Sequence, residues 1–220
     1  KAAYDNTSDT DTVKISLSEA MTLLEAWDYR FSYESTATSL AIYWAREMRS
    51  NALIPARNTG ISVYEFMMQR TSNREKLAAL KKAIDTLEAD FGSWQTPWGE
   101  INRFQRLTGD IVQPFDDNQP SFPVAFPSAR WGSLAAYGQR TFNNTKKTYG
   151  TRGNSFVAVV EFGEKVRAKA VTAGGQSGDI KSSHFADQAE LYAKGKLRPV
   201  FFYDDDILQN AEKTYHPGEQ

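Results

Sequence analysis

The sequence predicts an α+β fold, because a helical first half precedes a loop-rich middle and a β-hairpin. Apolar residues recur at helical spacing between residues 17 and 91. Residues 94–153 are dense in Pro, Gly, Asn and aromatic residues, which favours long irregular connections with short strands. Residues 155–162 and 166–173 are two apolar, β-forming runs joined by "GEK", which is typical of a hairpin.

The first half contains candidate helices within residues 16–30, 38–50, 61–70 and 73–91. The first begins at a candidate cap, Ser16 or Ser18, and the last ends at Gly92, a typical C-terminal cap. Segment 61–70 is short, so its state stays open. Trp27 and Trp44 fall at helical spacing with other apolar residues, so we expect both in the core.

After the hairpin, we expect a helix within 185–196, an extended segment at 197–203, and a final helix from Asp204 to the Pro-Gly pair at 217–218. This pattern divides the chain into a helical region (1–93), a loop-rich, cleft-covering region (94–152) and a closing region (153–220). At 220 residues we expect one compact unit.

Composition excludes several classes of function. A net charge of −1 offers no bulk electrostatic argument for binding nucleic acid. No run approaches the roughly 20 apolar residues that a membrane span needs. The absence of cysteine excludes disulfides, thiolate metal sites and a cysteine nucleophile, and two histidines are too few for a histidine-rich metal site. Because the chain begins with Lys1 rather than Met, we expect a processed product or an excised fragment.

Residues 174–188, "GGQSGDIKSSHFADQ", hold the residue types of a hydrolase triad: serines, His184 and Asp187. A triad needs a base that faces the serine on one side and a carboxylate on the other, and residues this close in sequence rarely converge in that way. A glycine-shaped turn is therefore favoured. We expect positive φ angles at Gly174 and Gly175 and capping by Asp179 or Ser182.

Other polar and aromatic clusters have structural explanations too. The acids at 115–118 and 204–206 offer oxygens to calcium, but neither has EF-hand spacing, so a turn and a helix start are favoured. His216 near the end of the chain is expected to face solvent. Trp98 and Trp131 lie in the loop-rich middle and are candidates for lining a cleft.

The closing region resembles the C-terminal end of the large chain in the penicillin acylase family, which includes the acyl-homoserine-lactone acylases. The upstream segment "TPWGEINRFQR" and the helical segment at 23–48 resemble parts of the same chains. The matching motifs of the closing region are Gly153 to Ser155, Ala168 to Ala170, the turn Gly174, Gly175, Gln176, Ser177 and Gly178, then His184, Asp187 and Gln188, Gly195, and Arg198-Pro199.

The resemblance implies strands of a four-layer αββα sandwich and a parent N-terminal-nucleophile hydrolase that cleaves an acyl-amide bond. Its nucleophile is a serine at the head of the large chain, activated by its own α-amino group. No catalytic residue of the family maps onto this segment, so we expect a structural motif and no activity alone. The implied partners are the remainder of the acylase and a small acyl-amide substrate. No cofactor is expected, calcium being possible in the parent, and the implied location is periplasmic or secreted.

Two other functions stay open. The chain could be a stand-alone module that binds a glycan or an acyl chain through Trp98, Trp131 and neighbouring tyrosines. A serine hydrolase built on Ser177 and His184 ranks last. If the strands at 155–173 come from a larger sheet, their free edge predicts that the isolated fragment dimerises or that its helices cover the exposed face.

Overall fold

The computed structural model describes residues 1–216 and 218, which form two compact units, Lys1–Gly153 and Asn154–Gln220. The boundary falls at the predicted start of the closing region. The expected single compact unit is replaced by two, because the strands before and after Gly153 belong to different sheets.

Helices and small sheets together confirm the predicted α+β fold class. The helices of the first unit are α1 (Ala2–Asp5), α2 (Thr12–Ser16), α3 (Ser18–Glu25), α4 (Thr36–Thr59), α5 (Val63–Gln69), α6 (Asn73–Phe91) and α7 (Trp98–Ile101), with a 3-10 turn at Ala129–Trp131. Those of the second unit are α8 (Ala189–Ala193) and α9 (Asp204–Asn210). The ambiguous segment 61–70 is thus helical.

The core of the first unit packs α4 against α6. Helix α6 begins with a capping box between Ser72 and Glu75 and ends at Gly92, whose φ of 78° suits glycine. Its buried side chains Leu80 and Leu87 recur at the spacing that the sequence showed. The prediction for this helix is confirmed at both ends.

Helix α3 ends at Glu25, so the prediction that it continues to residue 30 is wrong. A turn replaces its last part: Asp28 Oδ1 accepts from Arg30 N at 3.0 Å, and Tyr29 has a left-handed φ of 62°. Trp27 consequently leaves the helix, and its side chain is partly exposed rather than in the core. Trp44 packs against the core as expected, and its Nε1 donates to Lys76 O at 3.0 Å.

The loop-rich middle contains short strands, as predicted, and the structure joins them in one four-stranded sheet. Its order is β2-β1-β4-β3; β1 and β4 are parallel, and the other pairs are antiparallel. The pairing of β3 and β4 shifts register between Gly138 and Gln139. The strands are β1 (Asn102–Phe104), β2 (Phe122–Pro123), β3 (Tyr137–Arg140) and β4 (Thr148–Gly153).

The second unit contains the predicted hairpin, extended by one strand into an antiparallel sheet of order β5-β6-β7. The strands are β5 (Phe156–Glu161), β6 (Arg167–Thr172) and β7 (Arg198–Val200). Helix α8 is shorter than predicted, since residues before Ala189 form turns. Helix α9 stops at Asn210, before the predicted end; Pro217 lies outside the described residues.

Across residues 1–216 and 218, every helix is too short or too polar to cross a lipid bilayer.

Candidate functional site

Residues 174–188 form a closed turn that leads from β6 to α8. Its ends meet through the backbone, where Gln188 N donates to Gly174 O at 2.9 Å. Nearer its centre, Ser177 N donates to His184 O at 3.1 Å. These two bonds fold the family motif onto itself, so its residues share one small cluster.

Gly175 is needed for close approach rather than for positive φ. Neither Gly174 nor Gly175 has a positive φ, which corrects the sequence prediction. A Cβ on Gly175 would lie 2.0 Å from His184 O and 2.7 Å from Asp187 Oδ1. Only glycine therefore lets the two arms of the turn pack this closely.

Gln188 connects the turn to two strands. Its side chain is buried, and its Oε1 accepts from Thr172 N at the end of β6 at 3.0 Å. The same oxygen accepts from Arg198 Nε at the start of β7 at 3.1 Å. Because a buried amide without partners is costly, this arrangement stabilises the turn and both strands together.

His184 lies between carboxylates instead of facing a serine. Its Nδ1 is 2.9 Å from Asp187 Oδ2, and its Nε2 is 4.0 Å from Glu212 Oε2. The hydrogen bond to Asp187 and the charge of that carboxylate raise the pKa of His184 above its ordinary value.

The remaining polar groups of the turn support its backbone. Ser177 Oγ accepts from Asp179 N at 3.1 Å, and Ser182 Oγ accepts from His184 N at 3.2 Å. Asp179 Oδ1 accepts from Lys181 N at 2.9 Å, so both predicted capping residues cap turns. Gln176 and Gly178 are exposed. The histidine and the aspartate of the hypothetical triad are thus together, with the serine hydroxyl engaged elsewhere.

The upstream motif at 98–103 is part of the core. Trp98 is fully buried in the main apolar cluster, so it does not line a cleft as the sequence suggested. A Cβ on Gly99 would lie 2.8 Å from the Cβ atoms of Pro123 and Tyr33. Trp98 and Gly99 are therefore held by packing between α7, β2 and the segment before α4.

Two polar residues of this motif bind the backbone of the following loop. Asn102 Nδ2 donates to Val124 O at 2.9 Å and Phe126 O at 3.2 Å. The Arg103 guanidinium donates to Gly99 O at 2.7 Å and to Ser121 O at 2.6 Å. Sequence reasoning recognised these positions only through the family motif, since their partners are distant carbonyls.

Trp131 is the one predicted cleft residue that lines a cavity. It is half-buried in the wall of a space of about 310 Å³ in the first unit. The 3-10 turn at Ala129–Trp131 and strands β3 and β4 form this wall.

The acidic clusters have the structural partners that the sequence favoured. Asp117 Oδ1 accepts from the Tyr149 hydroxyl at 2.8 Å. Burial, and after it this hydrogen bond, raises the pKa of the Tyr149 phenol. Asp117 Oδ2 accepts from Lys146 N at 2.7 Å. Residues 204–206 form the first turn of α9. Within the described part of the chain, no three His, Asp or Glu side chains group as metal ligands.

Replacing Gly175 by alanine should destabilise the second unit by about 1–3 kcal/mol, because the new Cβ overlaps His184 O. Gly178→Ala is the matched control, since nothing lies within 4 Å of its Cβ position. We expect that control to change stability by about 1 kcal/mol or less. Hydrogen exchange of the β5–β6 amides measures both effects. Equal exchange in the two variants would contradict the proposed packing.

The ion pair of His184 predicts a pH dependence. Because the folded-state pKa is raised, protonated His184 stabilises the second unit fully below its ordinary pKa of 6.5, and this contribution is lost as pH rises through the folded pKa. Asp187→Asn should lower the pKa of His184. An NMR titration of the imidazole in a His216→Gln background leaves a single histidine to follow. Glu212→Gln is the control and should have a smaller effect. An unchanged pKa in Asp187→Asn would overturn the assignment.

Comparison with known proteins identifies a family. The sequence model described as Penicillin amidase matches residues 2–209. Among solved structures, a thermostable penicillin G acylase from Alcaligenes faecalis, in orthorhombic form, is similar, with a TM-score of 0.47 and 16% identity over 100% of this chain and 45% of that one. The chain therefore spans less than half the length of that structure. With nearly all its residues matched by the family model, the chain belongs to the penicillin amidase family.

Proposed function

We propose that this chain is the C-terminal segment of an acylase that hydrolyses an acyl-amide bond of the penicillin or acyl-homoserine-lactone type. In this proposal the segment contributes structure, and the attacking serine belongs to another part of the parent protein. Family membership supports the reaction class. The geometry around His184 supports the structural role, since its ring faces two carboxylates and the Ser177 hydroxyl caps a turn.

The observation that carries the proposal is the open edge of the three-stranded sheet. Among the described residues, strand β5 pairs only with β6. It exposes Phe156 by 61%, and Phe162, just beyond it, is exposed by 84%. Val159 and Val160 on the same strand are exposed as well. Apolar strand edges of this kind pair with or pack against other chains. The remainder of an acylase, arranged as an αββα sandwich, is the partner we propose.

A homodimer of the isolated fragment is another way to cover this edge, and it stays a prediction. So do the periplasmic or secreted location and a calcium ion in the parent protein, which only the family resemblance implies.

The purified 220-residue chain should not hydrolyse acyl-amides above the buffer rate, because the His184 ring contacts Asp187 and Glu212 rather than the Ser177 hydroxyl. Phenylacetyl-4-nitroanilide and octanoyl-4-nitroanilide are suitable substrates, since released 4-nitroaniline is followed by absorbance. Ser177→Ala and His184→Ala serve as matched variants. Hydrolysis that Ser177→Ala abolishes would replace this proposal with a local serine hydrolase.

A second candidate function, an acyl-chain-binding module, is favoured by an apolar cavity in the first unit. The cavity measures about 580 Å³, which suits a medium-length alkyl chain. Trp27, which the turn at 28–30 removes from its helix, forms part of the wall. The other apolar side chains of the wall include Tyr4, Met21, Leu24, Trp44, Leu77 and Leu80.

Titration of the chain with 1-octanol by calorimetry tests this second function. Because 1-octanol is uncharged, its binding would report on the apolar wall and not on ion pairing. We expect saturable binding that Trp27→Ala weakens by about fivefold or more, since part of the apolar wall is lost. Trp131→Ala, outside this cavity, should leave the affinity unchanged. Absence of saturable binding, or equal effects of both variants, would rule the cavity out as an acyl site.

A further inference from the structure

The cavity beside Trp131 carries a concentration of positive charge. Four arginines from separate parts of the first unit line it, namely Arg46 on α4, Arg130 in the 3-10 turn, Arg140 on β3 and Arg152 on β4. No aspartate or glutamate within residues 1–216 contributes to the lining. Four like charges around about 310 Å³ repel one another unless an anion lies among them.

These arginines have no acidic partner among residues 1–216 and 218. Every ion pair of that part of the chain uses other cations. The pKa of Arg46 is lowered, first by burial of its guanidinium and also by the charge of Arg130. The Arg46 guanidinium therefore lies in buried, positively charged surroundings, which favour a negatively charged neighbour.

Packing holds these side chains in place where ion pairs do not. The Arg46 guanidinium lies 5.5 Å from the ring centroid of Tyr43 and 5.9 Å from that of Trp98. The Arg140 guanidinium lies 4.5 Å from the ring of Phe142. Cation–π contacts of this kind orient a guanidinium and leave its N–H donors available.

The Arg152 side chain lies across β3 at Gly138, which has no side chain to block it. A Cβ on Gly138 would lie 2.6 Å from Arg152 Cγ and 3.3 Å from its Nε. The glycine thus lets the arginine lie flat over β3. Loss of this glycine would displace one wall of the cavity.

Neutral polar groups complete the lining. Ser128 and Thr148 contribute hydroxyl groups, and Gln139 lies at the register shift of β3 and β4. Both amide atoms of Gln139 are buried without a hydrogen-bond partner. A buried amide without partners is costly, so a ligand group that reached Gln139 would be stabilising.

From these observations we infer that this cavity binds a small oxyanion, with carboxylate as the preferred group. Planar guanidinium groups match a carboxylate through paired hydrogen bonds. The volume of about 310 Å³ accommodates a small dicarboxylate. This site is separate from the family motif at 174–188 and goes beyond the proposed hydrolase function.

Calorimetric titration of the 220-residue chain with malonate, at constant ionic strength in chloride, tests the inference. We expect saturable binding that Arg140→Gln and Arg152→Gln each weaken by about tenfold, since each removes one charged hydrogen-bonding group. Both side chains are exposed at the rim, so both variants should fold. Arg74→Gln makes the same charge change at an exposed position of α6 outside the cavity and is the matched control.

A structural readout accompanies the titration. All five tryptophans lie in residues 1–153, so the melting transition of the first unit is followed by their fluorescence. Malonate should raise the midpoint in the parent chain and in Arg74→Gln, and raise it less in the two rim variants. No saturable heat in the parent chain would overturn the inference. So would equal weakening by Arg74→Gln, which would indicate general charge screening.

Discussion

Buried amide side chains are the constraint on which the irregular parts of this protein depend. Long loops contain backbone groups that no helix or sheet ladder pairs, and such groups need partners when buried. Gln105 Nε2 donates to Asp116 O at 2.8 Å, and its Oε1 accepts from Asp116 N at 2.9 Å. Asn102 and Gln188 likewise pair backbone groups of other connections, Asn102 by donating to Val124 O and Gln188 by accepting from Thr172 N.

The family motifs acquire a physical meaning from this constraint. Gly175 lets two arms of the turn approach, Gln188 joins that turn to β6 and to Arg198, and His184 pairs with Asp187 at its surface. In the first unit, Gly99 and Asn102 have corresponding roles beside the buried Trp98. The residues that look catalytic in the sequence have structural roles in the folded chain. These structural roles are consistent with the proposal that the catalytic chemistry belongs to other parts of the parent protein.

Sequence reasoning succeeded where the signals were local. Helix α6 was predicted with its C-terminal cap because periodicity and Gly92 lie within one segment, and the hairpin followed from two β-forming runs. Trp27 was misplaced because the turn at Asp28 and Tyr29 competes with helical spacing. Gly175 was expected to have a positive φ, but it is needed for close packing. Trp98 was expected to line a cleft, but it is buried in the core. Both positions depend on contacts that short sequence patterns do not show. No sequence pattern predicted the cavity lined by arginines, because its four arginines are spread between positions 46 and 152.

The central claim is that this chain is one part of an acylase whose nucleophile lies outside it. The most direct test is to sequence the gene on the 5′ side of the codon for Lys1. We predict a continuous reading frame containing a self-cleavage junction followed by a serine-headed chain. A start codon or a signal peptide directly before Lys1 would contradict the claim, because the chain would then function without that nucleophile.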